Sequence, residues 1–518
     1  MTTKHDSSLV PHIAQFIAQL TDNAAVITRA KDLQLALEQG HTAIKIETKL
    51  NDKLISQDGK SGYIVQKDGQ AAFRRYYNME KHIQSSFQNI KTSTIATQAL
   101  SQAIANVKKW CQLTTTEAEL TTDWQWQASL QALRQNRFVL DGGPGTGKTT
   151  TIIRFLLLYV QIQKNKKIAL AAPTGKAANH MMQSINQQLK NIQCDETIKQ
   201  QLSIPAKTLH RLLGYNHKTN HFKYNHNNRL DYDLVIIDES SMLDVTLAYA
   251  LISALKNNAQ LLLIGDKNQL PAVEAGNVFA DLCAILTPQN LNPSNAYIKL
   301  TKNYRFDHQS LIAKLAQATL NNDLQQFKKL KNEKDFNWHN PPRASEKQKL
   351  LKQWYATIKP DETQMILCAT NKGTNSVAEF NQLAKNIQHK QQEYSNNMPI
   401  IINKNDYNLE VYNGDIGQLQ KHNKQWQVPF LIEGKQKFIQ LQALSWEMAH
   451  AISIHKSQGS EYDHVCIVLA ENIEHNLLSQ ALLYTAISRA KKTITLFSSE
   501  QNLQKTLENH QQRLTFLK

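Results

Sequence analysis

Short unbroken apolar runs recur along the chain: FVL at Phe138–Leu140, KIALAAPT at Lys167–Thr174, DLVIIDES at Asp233–Ser240 and QLLLIGD at Gln260–Asp266, then QMILCAT at Gln364–Thr370, HVCIVLA at His464–Ala470 and TITLF at Thr493–Phe497. Runs that do not alternate with polar residues suit parallel strands covered on both faces. The pattern therefore predicts an α/β fold with two parallel-sheet units. Between Pro399 and Ser445 the rhythm changes to short strands with turn signals, YNGD at Tyr412–Asp415 and EGK at Glu433–Lys435, predicting a small SH3-type antiparallel β-barrel inserted in the second unit. Residues before about 110 carry an amphipathic helical pattern at Ile13–Leu20 and a strand-like TAIKIETKL at Thr42–Leu50. They contain no catalytic pattern and predict a mainly α accessory or docking domain. The expected division is 1–110, 111–300 and 301–518, with the barrel at 399–445.

The first unit carries the chemistry. FVLDGGPGTGKTTTIIRF at Phe138–Phe155 runs from a strand through glycines into a helix beginning near Lys148. It matches G-x-x-x-x-G-K-[ST] in the strand-loop-helix setting that this pattern requires. Gly142, Gly143, Gly145 and Gly147, with Pro144 and Thr146 between them, turn bare backbone N–H groups toward phosphate oxygens. Lys148 supplies a mobile charge for the outer phosphates, Thr149 a hydroxyl for magnesium, and Thr150 at the helix start completes the expected nucleotide-binding set. The ligand is a nucleoside triphosphate, ATP, with Mg2+. Further on, Asp238 and Glu239 end a strand at the edge where open α/β sheets bind ligands. Asp238 can reach magnesium and Glu239 can orient or deprotonate the attacking water. Gln269, just past the next apolar run, can sense the γ-phosphate and pass that information to a neighbouring surface.

Charge and composition narrow the partners. The formal net charge of +16 on 518 residues draws in polyanions, nucleic acid foremost, although the same composition also makes a merely soluble basic surface. No apolar run reaches the roughly 18 residues of a membrane span. The N-terminal MTTKHDSSLVPHIAQFIAQL lacks an export pattern, so a cytoplasmic protein is expected. Cys111, Cys194, Cys283, Cys368 and Cys466 lie far apart, which points to buried small side chains rather than zinc, iron–sulfur or disulfides. The basic stretch Tyr215–Arg229 reads as a protruding hairpin or a solvated loop. E-x-K at Glu433–Lys435 with Asp415, and again at Glu47–Lys49, reads as ordinary strand and turn charge rather than a nuclease centre.

Taken together these segments resemble the superfamily 1 helicases. DWQ at Asp123–Gln125 is similar to the glutamine motif, AAPTGKAA at Ala171–Ala178 to motif Ia, VIIDESSM at Val235–Met242 to motif II and GDKNQLP at Gly265–Pro271 to motif III. LTKNYRF at Leu300–Phe306 resembles motif IV, IHKSQGSEYD at Ile454–Asp463 motif V and YTAISRAKK at Tyr484–Lys492 motif VI. TLHRLLG at Thr208–Gly214, YNGDIG at Tyr412–Gly417 and RRYYNMEKHI at Arg74–Ile83 resemble the RecD family, the α subunits of RecBCD exodeoxyribonucleases; tyrosine stands at Tyr77 where that family usually has tryptophan.

The resemblance implies two RecA-like motor domains and 5′ to 3′ movement on single-stranded DNA. It also implies processing of double-strand DNA ends for recombinational repair in a heterotrimer with RecB-like and RecC-like subunits, the nuclease lying in a partner. By resemblance Gln125 reads adenine, Glu461 binds the ribose, and Arg305 and Arg489 meet the γ-phosphate when the units close. Pro173, Thr174, Lys176, Thr208 and His210 on one unit, and His455, Lys456, Ser457 and Gln458 on the other, are the implied DNA track. A free-standing helicase of the same branch, an RNA helicase, or a scaffold using ATP only as a clamp are the rival readings.

Overall fold

The computed structural model describes residues 10–517 except 115, 117–119, 121, 217, 288–295, 303, 305–309, 332, 342, 357, 360, 389–392, 407, 433–434 and 472–476. The apolar runs become the central strands of two sheets. In the first lobe the order is Tyr297–Leu300, Arg137–Gly142, Gln260–Gly265, Leu234–Ile237, Ile168–Ala172, Ala206–Thr208, every pairing parallel. In the second lobe Phe336–His339, Ala490–Phe497, Tyr462–Val468, Gln364–Cys368 and Ala451–Ser453 form a second wholly parallel sheet. Helices flank both sheets, which is why Leu234–Ile237 and most of Tyr462–Val468 are buried without alternation.

Between the strands of the second lobe the chain detours. Pro399–Ile402 pairs antiparallel with Ile416–Gln418 and Trp446–Met448, and Gln420–His422, Gln425–Ile432 and Lys435–Gln440 form a second antiparallel sheet. Met398, Ile400, Leu419, Val428 and Ile439 give this insertion a core of its own. Tyr215–Asn216 and His221–Phe222 pair as a hairpin on the first lobe, with His217 outside the described residues.

At the N-terminal end, Val10–Ala18, Ala24–Glu38 and Arg74–Gln88 surround a four-stranded sheet. The expected strand at Thr42–Leu50 shrinks to Ile44–Lys45, paired to Gln70–Phe73. Arg74–Gln88 docks on the first-lobe helix Val245–Ala254, where His82 meets Tyr249 edge-on at 5.2 Å. Among the cysteines, Cys283, Cys368 and Cys466 are buried as expected, whereas Cys111 and Cys194 are half-buried; all are free thiols. Among the described residues no helix is long and apolar enough to cross a membrane.

Candidate nucleotide site and the seam between the lobes

The strand Arg137–Gly142 ends in the glycine loop, and the helix Lys148–Ile162 begins directly behind it. Gly145 and Gly147 take φ of +74° and +82°, which L side chains rarely adopt. At Gly147 there is no space either, because an added Cβ would lie 2.0 Å from Gln125 Nε2. The Lys148 ammonium donates to the carbonyls of Gly142 at 2.7 Å and Gly143 at 3.1 Å, so it already lies over the loop. Asp123 caps the helix Trp124–Arg134 and pairs with Arg154 at 3.2 Å, which fixes Gln125; the buried Gln125 amide donates to Thr146 O at 3.2 Å. Beside it opens a cleft of roughly 450 Å3 walled by Trp124, Gln125, Thr146, Lys302 and Tyr304. Tyr304 donates its N–H to Gly145 O at 2.8 Å while its ring stays 52% exposed. Nothing in the sequence singled Tyr304 out, although it sits next to Arg305 in the same motif; Arg305 lies outside the described residues.

Across the loop, Leu234–Ile237 delivers the acid pair. Glu239 holds a left-handed φ of +51°, a strained conformation for a glutamate and one that clusters at functional sites. Burial, and then the Glu239 charge, push the Asp238 carboxyl up to about 6, while Lys148 pulls it down. A carboxyl disfavoured as an anion in this way gains most from a nearby cation. The Asp238 carboxylate and the Thr149 hydroxyl are both hard oxygen donors, the type that suits magnesium. Gln269, buried at the next strand end, has a side-chain oxygen with no hydrogen-bond partner and an amide 3.4 Å from Asp266 Oδ2.

The two lobes meet at that strand end. The Tyr484 hydroxyl donates to Asp266 Oδ2 at 2.9 Å, Leu270 N–H donates to Thr485 Oγ1 at 2.9 Å, and Gln458 Nε2 donates to Leu270 O at 3.0 Å. All of these groups are buried. Burial raises the Asp266 carboxyl above its usual range, opposed by the Lys148 charge. Asp266, Tyr484 and Thr485 were not marked from sequence, although they lie inside the GDKNQLP and YTAISRAKK segments. Tyr484 and Ser488 share a cleft of roughly 430 Å3 with Gly143, Pro144 and Thr146 of the phosphate loop. Arg489, the next residue, is 4% exposed and donates to Thr485 O, Ser488 Oγ and Ser460 O within its own lobe. Glu461 is half-buried on the strand approach nearby.

The implied DNA residues divide. Pro173, Thr174 and Lys176 lie at the start of helix Gly175–Asn191, with Thr174 capping Ala177 N–H. The Tyr412–Asp415 turn of the insertion sits on them: an added Cβ on Gly175 would lie 2.4 Å from the Tyr412 side chain, and Arg211 donates to Tyr412 OH at 3.2 Å. Burial pushes the half-buried Lys176 ammonium down to about 8, with Asp415 opposing and Arg489 adding to the shift. Thr208 caps the short helix Leu209–Leu212, and His210 packs edge-on to Tyr215 of the hairpin at 5.4 Å. On the second lobe His455 is exposed and Lys456 pairs with Glu447 of the insertion. Ser457 and Gln458 are buried, Ser457 bonded to Ile454 O and Gln458 to Leu270 O, so neither faces a surface track.

A phosphate loop on one parallel sheet, joined through its strand ends to a second parallel sheet, defines a P-loop NTPase of the superfamily 1 helicase type. Two family descriptions agree: "AAA domain" matches residues 125–275 and "UvrD-like helicase C-terminal domain" matches 448–497. The chain is 32% identical over 422 residues to the RecBCD enzyme subunit RecD of Mycolicibacterium smegmatis, covering 76% of this chain and 74% of that one. To the RecD subunit of Haemophilus influenzae it is 30% identical, covering 74% and 70%. The chain belongs to the RecD family. It is also 29% identical to the ATP-dependent RecD2 DNA helicase of Deinococcus radiodurans, over 68% of this chain and 46% of that one. Among solved structures, Bacteroides Pif1 bound to single-stranded DNA aligns at 18% identity over 74% of this chain and 93% of its own, with a TM-score of 0.44.

Proposed function

We propose that this chain is an ATP-driven DNA helicase that moves 5′ to 3′ on single-stranded DNA. It works as one subunit of a RecBCD-type helicase-nuclease acting at double-strand ends, with RecB-like and RecC-like partners and the nuclease in a partner. Family membership supports the assembly and the polarity. The observation that carries the motor reading is the buried seam in which Tyr484, Thr485 and Gln458 of one lobe grip Asp266 and Leu270 beside the sensor position Gln269 of the other. Nucleotide state at the phosphate loop is thereby tied to the placement of the second lobe.

In this reading ATP lies along the loop with its adenine between the Gln125 amide and the exposed Tyr304 ring, and Glu461 meets the ribose. Lys148 exchanges the Gly142 and Gly143 carbonyls for phosphate oxygens. Thr149 and Asp238 would hold magnesium, which neutralises charge on the phosphates. Glu239 orients the attacking water, and Gln269 offers its unpartnered oxygen and its amide at the γ-phosphate side. Arg489 completes the site from the far lobe on closure, and Arg305 joins it at the γ-phosphate; such an arginine supplies about 10³–10⁵ in rate. Each cycle of closing and opening moves the second lobe, with His455 and Lys456, relative to Pro173, Thr174, Lys176, Thr208 and His210 on the first, so a strand held across both is drawn along. The accessory region 1–110 and the motor units 111–300 and 301–518 remain the working division.

The test uses the assembled complex on duplexes with one defined tail. The parent should unwind from a 5′ tail, and Lys148→Gln should abolish that activity while leaving the fold intact by circular dichroism. Undiminished unwinding by the variant, or unwinding by this subunit only from a 3′ tail, would overturn the reading.

A further inference from the structure

The chain ends in a strap that runs from the second lobe back to the first. Helix Glu500–Glu508 buries Leu503 and Leu507 in the second-lobe core, and Asn509 and His510 remain on that lobe, bonded to Gln480 and Leu478. A few residues later the chain has left it. Arg513 Nη1 donates to the carbonyls of Glu274 and Gly276, each at 2.7 Å, and Nη2 donates to Ala272 O at 2.7 Å. The guanidinium lies against Gly40, where an added Cβ would come within 2.6 Å of it. Beyond it Leu514 O accepts from Thr42 and Ala43 N–H, and Leu514 N–H donates to His41. Thr515 donates to Asp281 at 2.9 Å, Phe516 N–H donates to Glu80 at 2.7 Å, and the Phe516 ring stands edge-on to Tyr77 at 5.0 Å.

The carbonyls that Arg513 gathers belong to the loop that immediately follows Gln269 and Leu270. That loop is therefore held by the second lobe twice: at Leu270 by Thr485 and Gln458, and at Ala272–Gly276 by an arginine on the second lobe's own tail. From His510 to Arg513 the backbone can span at most roughly 10 Å, which limits how far the lobes part here while the strap stays docked.

We infer that Arg513 is a positioning residue for ATP hydrolysis: it fixes the loop behind Gln269 and couples that loop to the second lobe through the docked C-terminal strap. This rests on the proposed motor function and on Gln269 as its γ-phosphate sensor. Nucleotide binding in that reading depends on Gln125, Tyr304, Glu461 and the phosphate loop, whereas the Arg513 guanidinium bonds the carbonyls of Ala272, Glu274 and Gly276, so its loss acts on kcat rather than on KM.

The experiment is the steady-state ATPase of the full chain, assembled with RecB-type and RecC-type partners, with and without single-stranded DNA. Arg513→Gln should lower the DNA-stimulated kcat on the order of 10- to 100-fold, the scale of a displaced catalytic group, and leave KM for ATP within about two-fold. Arg513→Lys keeps the charge but replaces the planar fork with a compact ammonium, so its kcat should fall between the two. A kcat equal to the parent's in Arg513→Lys and Arg513→Gln overturns the inference, as does a loss confined to KM. If Arg513→Gln does not fold, Arg513→Lys decides alone. A parent complex with no DNA-stimulated ATPase refutes the motor function itself, before any variant is compared.

Discussion

Replacing Tyr484 by phenylalanine removes a single oxygen from the seam. The ring is 4% exposed, its hydroxyl donates to Asp266 Oδ2 at 2.9 Å, and the change leaves side-chain volume almost untouched. A hydrogen bond to a charged group contributes about 1.5–3 kcal/mol. Here that sum applies only when the lobes are together, because donor and acceptor lie on different lobes. At about 1.4 kcal/mol per decade the closed arrangement should become roughly 10- to 100-fold less favoured relative to the open one. If hydrolysis passes through closure, the DNA-stimulated kcat falls by a similar factor, while KM for ATP, set chiefly by first-lobe contacts that Tyr484 does not make, changes less. Burial already raises the Asp266 carboxyl, so in the variant, with one hydrogen bond fewer on that anion, protonation becomes easier and the deficit should shrink as pH falls. Thr485→Val removes the acceptor for Leu270 N–H on the same seam, and a double-mutant cycle with Tyr484→Phe should show coupling of about 0.5–3 kcal/mol. The assay is single-turnover and steady-state ATP hydrolysis with saturating single-stranded DNA. A Tyr484→Phe enzyme at the parent's kcat would show that the seam is a passive contact and that closure is not coupled through motif III.

Tyr304→Ala should raise KM for ATP about ten-fold with a smaller effect on kcat, since stacking of a base on an aromatic ring contributes about 1–3 kcal/mol; equal KM values for ATP in parent and variant would place the adenine elsewhere. Glu80, 1% exposed, is pushed from 4.5 to about 7, chiefly by burial and further by Asp281, against Thr42, the Phe516 amide and Lys81. The folded acid holds its proton longer than the unfolded one, so this contribution is fully present below 4.5 and lost as pH rises through about 7. It amounts to about 3 kcal/mol across that range. Glu80→Gln should flatten the fall in stability and leave the variant the more stable of the two at mildly alkaline pH, read by urea unfolding at a series of pH values; parallel curves for the two proteins would refute it.

Local chemistry made the phosphate loop, the acid pair and the strand ends readable in advance. The glycines, Lys148 and Asp238 sit within a few residues of the strands that deliver them, and the central strands are marked by their own apolar runs. The margins of the sheets were not legible. Ala206–Thr208, Tyr297–Leu300 and Phe336–His339 are short edge or near-edge strands with half-exposed or alternating positions, and periodicity over so few residues cannot separate strand from loop. Tyr304, Asp266 and Tyr484 were hidden for a different reason: each acquires its place only when distant segments meet, and nothing in the neighbouring residues specifies the partner. Ser457 and Gln458 show the converse, since a polar segment that reads as a DNA contact turns inward once Leu270 arrives beside it. The C-terminal residues RLTF at Arg513–Phe516 carry no recognisable motif, and it is distant partners, among them Gly40, His41, Thr42, Tyr77, Glu80, Asp281 and the loop after Gln269, that give them a place.

Leu270 is 4% exposed and belongs to the apolar core of the opposite lobe, among Ile454, Leu482 and Leu483. Drawing it out wets a side chain whose burial is worth about 1.5–3 kcal/mol, and tight packing makes a half-withdrawn position worse than either end. The junction at Leu270 therefore has the character of a shallow detent rather than a smooth bearing. A step of only a few RT is still crossed by thermal motion, so Leu270 biases the lobes toward one seated arrangement without locking them there.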